Sequence, residues 1–180
     1  MPSYQPYEAI DAIVLPDNSF IGIGIMALQP DLTNFDLGIY KFTASGALDT
    51  SFGNGGGQVI PFDLGGLMSD LGVEGVRDAE GRILVVGFSN TDTGTTTSLV
   101  RLEPDGSFDA SFGVGGKLTV ASAPPPNPDE GDTGTAVALT PDGNILVGSI
   151  ATVGSAPSTS LVGLAKLVGD TIFEDGFESD

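Results

Sequence analysis

The feature that most limits what this chain can fold into is an internal duplication. Residues Lys41 to Ile60 (KFTASGALDTSFGNGGGQVI) align without a gap on Arg101 to Val120 (RLEPDGSFDASFGVGGKLTV), 60 positions later. Seven positions are identical: Gly46/Gly106, Asp49/Asp109, Ser51/Ser111, Phe52/Phe112, Gly53/Gly113, Gly55/Gly115 and Gly56/Gly116. A second element, an apolar run after a turn, occurs from Leu15 (LPDNSFIGIGIMA), Arg77 (RDAEGRILVVGFS) and Leu139 (LTPDGNILVGSIA), at a spacing of 62 to 63 residues. Asp70-Leu-Gly72 and Asp132-Thr-Gly134 precede the second and third runs in the same register. A period of this length marks a supersecondary module that buries its apolar surface by stacking on its neighbours.

Lys41, Arg101 and Lys166 occupy one repeat position, in YKF, VRL and AKL, so three of the six basic residues share a single structural slot. After Lys166 the copy degenerates. Asp170-Thr-Ile-Phe173 resembles Asp49-Thr-Ser-Phe52, but the turn is shorter and most glycines are gone. A terminal repeat that caps the stack departs from the consensus in this way. The expected organisation is one β-repeat domain over 1–180, with units at about 1–62, 63–121 and 133–173, a loop at 122–132 and an acidic tail at 174–180.

Each unit divides into about four short strands separated by turns. In the first they are Ala9 to Leu15, Phe20 to Leu28, Phe35 to Phe42 and Gln58 to Phe62. Pro16-Asp17-Asn18, Pro104-Asp105-Gly106 and Pro141-Asp142-Gly143 carry turn chemistry: proline presets φ, aspartate bonds the local backbone, and glycine or asparagine accepts a left-handed conformation. The second strand of each unit (Ile21, Ile23 and Ile25; Ile83 to Val86 with Phe88; Ile145 to Val147 with Ile150) is apolar on both faces, which predicts burial on both. No segment sustains a helical period, although Leu64 to Val76 is read as a helical turn or two. The expected fold is all-β: a partial or open propeller-like array of about three four-stranded antiparallel blades.

In the Asp-x-Ser-Phe-Gly element, Phe52 and Phe112 are expected to plug the core between neighbouring sheets. Asp49 and Asp109 either cap the turn or pair with the basic slot. The structural signature is thus Lys41, Gly46, Asp49, Ser51, Phe52 and Gly53, then Arg101, Gly106, Asp109, Ser111, Phe112 and Gly113, then Lys166, Asp170 and Phe173.

Composition removes most chemistries. With 24 acidic against 6 basic residues, the net charge is −18, which opposes binding to nucleic-acid phosphates and to anionic membranes. The chain has no histidine and no cysteine, so Ser-His-Asp and Cys-His catalysis and His/Cys zinc sites are excluded. The clusters Gly53 to Gly57 and Gly113 to Gly116 lack the Lys-Ser/Thr ending of a phosphate loop and are read as corners. Asn127, Asp129, Glu130 and Asp132 carry oxygen ligands suited to calcium, but the preceding Ala-Pro-Pro-Pro reads as an extended surface loop, and no cofactor is expected. Thr91 to Thr97 is read as a hairpin loop. Paired carboxylates remain open to glycoside chemistry, with no pair singled out. No signal peptide is visible at Met-Pro-Ser-Tyr-Gln-Pro, and no run reaches the length of a membrane span.

The combination of Arg101-Leu-Glu-Pro-Asp-Gly-Ser-Phe-Asp-Ala-Ser-Phe-Gly-Val-Gly-Gly116 with Pro141-Asp-Gly-Asn-Ile-Leu-Val-Gly148 resembles the delta-60 repeat family. Residues 41–57 match less fully, Thr-Ala-Ser-Gly replacing the Pro-Asp-Gly turn. The resemblance implies a bacterial, exported or cell-surface, β-propeller-like protein, and it carries no catalytic residues over. The ending Ile172-Phe-Glu-Asp-Gly-Phe-Glu-Ser-Asp180 resembles short tails of exported proteins in some Gram-negative bacteria. The function expected is a non-catalytic binding or scaffolding module, the alternative being a carboxylate-based, carbohydrate-active hydrolase or lyase at the blade convergence. Three units fall short of the usual 4 to 8 blades. A truncated product, a self-associating ring and an open array all fit, and open sheet edges predict self-association or capture of a protein partner.

Overall fold

The fold was obtained as a computed structural model, which describes residues 3–30, 33–66, 68–120, 131–153, 159–168 and 171–172. The described residues form three four-stranded antiparallel sheets and no helix. The first sheet holds β1 (Ser3–Val14), β2 (Phe20–Gln29), β3 (Phe35–Phe42) and β4 (Gly57–Ile60) in chain order. The second holds β5 (Asp70–Arg77), β6 (Ile83–Asn90), β7 (Thr95–Leu102) and β8 (Lys117–Val120). The third holds β9 (Asp132–Leu139), β10 (Ile145–Val153), β11 (Thr159–Val168) and β12 (Thr171–Ile172). This is the open, propeller-like arrangement of about three four-stranded blades expected from the sequence.

The turns explain why the meander repeats. Asp105 Oδ1 accepts from the amide and hydroxyl of Ser107 at 2.9 and 2.7 Å, and Asp17 does the same for Ser19 at 3.0 and 2.5 Å. These local bonds replace water at the turn and release the chain directly into the next strand.

The core lies between sheets. Ile21, Ile23, Leu37, Ile39 and Ile60 of the first sheet meet Ile83, Val85, Val100 and Leu102 of the second. Leu84, Val86, Leu99 and Val120 on the other face of the second sheet meet Val137, Ile145, Val147 and Leu167 of the third. Among the described residues, only the middle sheet has neighbours on both sides. The expectation that every second strand is buried on both faces therefore holds for β6 and fails for β2 and β10, whose outward positions include half-buried Gly22 and Gly24 and exposed Ile150.

Two local readings are corrected. The helical turn read within Leu64 to Val76 is instead β5 from Asp70 onward. Gly72 and Gly75 let this strand approach the first sheet, a Cβ at either falling 2.5 and 2.2 Å from Leu37 Cδ1 and Ile23 Cδ1. Thr95 to Thr97 belong to β7, paired with β6, and only the segment before them is loop. The calcium-ligand residues Asn127, Asp129 and Glu130 lie outside the described residues. Asp132 begins β9 and accepts from Thr97 Oγ1 at 3.0 Å, a bond that ties the third sheet to the second.

Candidate functional site

The shared corner follows β3 and β7. In the second unit, Asp109 N donates to Arg101 O (3.0 Å), Phe112 N to Asp109 O (3.0 Å) and Gly116 N to Phe112 O (2.9 Å). The first unit repeats this with Asp49, Lys41, Phe52 and Gly56 at 2.9, 3.1 and 2.7 Å. The corner closes through Gly113 at φ 51°, where a Cβ would sit 2.1 Å from Lys117 O. Only glycine accepts both that dihedral and that approach.

The aspartate organises the corner. Asp109 Oδ1 accepts from Ser111 N (2.9 Å) and Oγ (2.6 Å), and its Oδ2 accepts from Arg101 Nε (2.7 Å). The Arg101 guanidinium lies 4.6 Å over the Phe112 ring centroid and reaches Ser111 Oγ at 3.3 Å. Burial works against the charge of Asp109, yet the Ser111 hydroxyl and amide and the Arg101 guanidinium hold its carboxyl below the usual range. In the first unit Lys41 Nζ stands 3.1 Å from Asp49 Oδ2, half-exposed. The Ser51 hydroxyl, then Lys41, depress Asp49.

The phenylalanines lie in the seams. Phe52 is buried in the cluster joining the first and second sheets, and Phe112 in that joining the second and third. Gly106 docks on the preceding corner: Gly53 N donates to Asp105 O (2.7 Å) and Gln58 Nε2 to Gly106 O (3.0 Å). Gly46, its counterpart, has nothing within 4 Å of its Cβ position. Lys166 is exposed on β11, while Asp170 and Phe173 lie outside the described residues.

Three features carry functional groups that the repeat did not single out. The first is a seam clasp. Asp11 Oδ2 accepts from Gly75 N (3.0 Å), and Glu74 Oε2 accepts from Val137 N (2.8 Å), each carboxylate on a first strand reaching the first strand of the next sheet. The signal was present as acids 63 residues apart, Asp11 and Glu74. The third sheet has Ala136 at this register.

The second is a cleft of ≈ 330 Å³ between the second and third sheets, walled by Asp78, Glu80, Arg82, Arg101, Thr140 and Asp142. Arg82 is its hub, with Nε 2.6 Å from Asp78 Oδ2, Nη2 3.5 Å from Glu80 and Nη1 3.6 Å from Asp109 Oδ2. Burial opposes the Arg82 charge, but these carboxylates, Asp78 foremost, raise its pKa. Both cations of the cleft are thus committed to acids of the same chain.

The third is a buried pair of acids. Asp70 Oδ2 accepts from Phe62 N (2.6 Å) and Asp63 N (3.4 Å). Burial above all, with the charges of Asp70 and Asp63 beside it, pushes Asp36 up to about 6, although the Tyr4 hydroxyl alongside favours its charged form. A buried carboxyl raised in this way beside a second acid is the raw material of acid–base chemistry. Both are buried, with Asp36 at 0% exposure and Asp70 at 1%, so no substrate reaches them as the chain stands. Among the described residues, no group of three or more acids is placed to hold a metal ion.

Stacked four-stranded meanders joined by a repeated glycine corner define the class as a β-propeller-like repeat protein. A family model described as "Domain of unknown function (DUF5122) beta-propeller" matches residues 79–112, the stretch from the β5–β6 turn into the second corner as far as Phe112. No curated protein and no solved structure matches the chain.

Proposed function

We propose that the chain is a non-catalytic binding or scaffolding module of the delta-60 repeat type, acting outside the cell or at the cell surface. The observation that carries this reading is the saturation of the repeat's polar groups by one another. Arg101, Asp109 and Ser111 satisfy each other within the corner, and Arg82 is held by Asp78, Glu80 and Asp109. Side chains spent in this way hold sheets in register and leave the function to surfaces. The partner is another protein chain, met by self-association or along the open sheet edges, since the charge of −18 disfavours nucleic acid. The external location is supported by the resemblance of the Arg101–Gly116 repeat. Labelling of intact cells with a membrane-impermeant amine reagent tests it, and protection of the chain from the reagent counts against it.

A second reading, a carbohydrate-active hydrolase or lyase, requires the buried pair Asp36 and Asp70 to open to substrate, the raised carboxyl of Asp36 being the feature that suits a general acid. Incubation with a panel of polysaccharides, read by reducing ends and by unsaturated-product absorbance, separates the two. The module reading expects no turnover. Turnover that disappears in Asp36→Asn or Asp70→Asn would establish the enzyme instead.

A further inference from the structure

The two internal seams obey one rule. Each sheet has a front and a back face, which strand register makes equivalent from unit to unit. The front carries Phe20, Gly22, Tyr40 and Phe42 in the first sheet, Ile83, Val85, Val100 and Leu102 in the second, and Ile145, Val147, Ala165 and Leu167 in the third. The back carries Ile21, Ile23, Ile39 and Lys41, then Leu84, Val86, Leu99 and Arg101, then Leu146, Gly148, Leu164 and Lys166. At both seams the back of one sheet receives the front of the next.

Among the described residues, one back and one front are left over. On the third back face, Val162 is 85% exposed and Leu164 63%, whereas their counterparts Leu37 and Ile39 in the first sheet are 4% and 0% exposed. Ile150 and exposed Ala136 and Ala138 extend the same apolar face. On the first front face, Val14 is 74% exposed and Leu48 43%, while Leu48's counterpart Phe108 packs against the first seam. The free turn at Gly46 lies on this side, where its counterpart Gly106 is docked. An apolar face of this kind on a chain of net charge −18 is a docking surface rather than a solvated one.

We propose that the back of the third sheet receives the front of the first sheet of a second copy. The occupant is argued from the established seams: the same two faces, in the same register, already bind each other twice within the chain. The contact is heterologous, so it either closes or propagates. The three sheets formed by the described residues of each of two copies give a ring of six, inside the roughly 4–8 blades that close in propellers. The dimer therefore has two identical front-to-back junctions, and the faces rather than the edges carry the association. This deepens the reading of the chain as a binding module and rests on it.

Complementation tests it, using two double variants at exposed positions. Val162→Glu with Leu164→Glu blocks the back, and Val14→Glu with Leu48→Glu blocks the front. Circular dichroism confirms the folds, and single Val162→Arg and Val14→Arg variants replace any double that fails to fold. Light scattering after size exclusion is expected to show a wild-type dimer, two monomeric variants, and recovery of a dimer when the variants are mixed in equal amounts. Larger species abolished by either block would uphold the face pairing and overturn the ring. A wild-type monomer at every concentration, a dimer insensitive to both blocks, or variants that do not recover on mixing would overturn the proposal. An insensitive dimer leaves the non-catalytic reading standing, whereas carboxylate-dependent polysaccharide turnover removes that reading without touching the junction.

Discussion

Arg101 and Asp109 form a buried ion pair, Nε to Oδ2 at 2.7 Å, with both side chains nearly inaccessible to water. Its counterpart, Lys41 with Asp49, spans 3.1 Å and is partly open to solvent. Both cations hold the same register on the back of their sheets, so the difference lies in the side chain. Arg101 faces the third sheet and stacks on Phe112, and the rigid planar guanidinium suits a buried pair better than an ammonium.

Asp109→Asn leaves the guanidinium buried without its charge partner. It is expected to destabilise the fold by about 3–5 kcal/mol, the usual cost of breaking a buried pair from one side. Asp49→Asn is expected to cost less, because solvent partly screens the half-buried pair. Urea titrations of the two variants check the ranking, and equal losses would contradict it.

Phe52 and Phe112 fill the two seams with fully buried rings. Truncation of either to alanine is expected to cost about 3–5 kcal/mol through lost burial and the cavity left behind. Thermal melts followed by circular dichroism read the loss. A change under about 1 kcal/mol at either position would show that its seam is not packed around the ring.

Asp36 and a set of turn and corner aspartates have opposite pH behaviour. Asp17, Asp49, Asp105, Asp109 and Asp142 are held below the usual range, so the stability they lend is present above about pH 4, near the unfolded aspartate pKa, and fades as pH falls below it. Asp36 is the reverse. Its folded value of about 6 exceeds the unfolded aspartate's roughly 3.9, so the folded state holds the proton longer and stability falls as pH rises through that window. Asp36→Asn is expected to stabilise the protein by about 1–3 kcal/mol near pH 7.5 and by less near pH 4.5. Urea midpoints at the two pH values test this, and an equal effect at both would contradict it.

Gly113 and Gly115 both have left-handed dihedrals, φ 51° and 61°, but a Cβ at Gly113 meets Lys117 O at 2.1 Å while one at Gly115 meets nothing within 4 Å. Gly115→Ala is expected to cost about 1 kcal/mol from backbone strain alone. Gly113→Ala adds a backbone collision and is expected to cost about 3 kcal/mol. Melting temperatures of the pair decide, and equal losses would place the strain elsewhere.

The fold was legible in the sequence because its determinants are contiguous. The Asp-x-Ser-Phe-Gly corner, the Pro-Asp-Gly turns and the strand periods each act within a few residues, and they recur in register. What a strand faces was not legible. Ile150 follows the same apolar run as Phe88, yet only Phe88 lies in a sheet with neighbours on both sides. The local pattern is the same whether or not a further sheet arrives. Asp36 was missed because its repeat counterpart is Thr96 and the acid beside it, Asp70, comes from the next unit. The Asp11 and Glu74 clasps were visible as a 63-residue spacing, but their partners are backbone amides, which leave no trace in side-chain identity. Arg82 was hidden because Ser19 and Asn144 stand at its repeat position.

The central claim is that successive sheets stack face to face. It is tested most directly by nuclear Overhauser contacts across the seams. Gly72 lies against Ile23 and Leu37 of the first sheet, and Gly134 against Val86 and Thr97 of the second. The account predicts cross-peaks from the Gly72 α-protons to the Ile23 and Leu37 methyls, and from the Gly134 α-protons to the Val86 and Thr97 methyls. Absence of both sets in a folded sample with intact β-sheet shifts would contradict it.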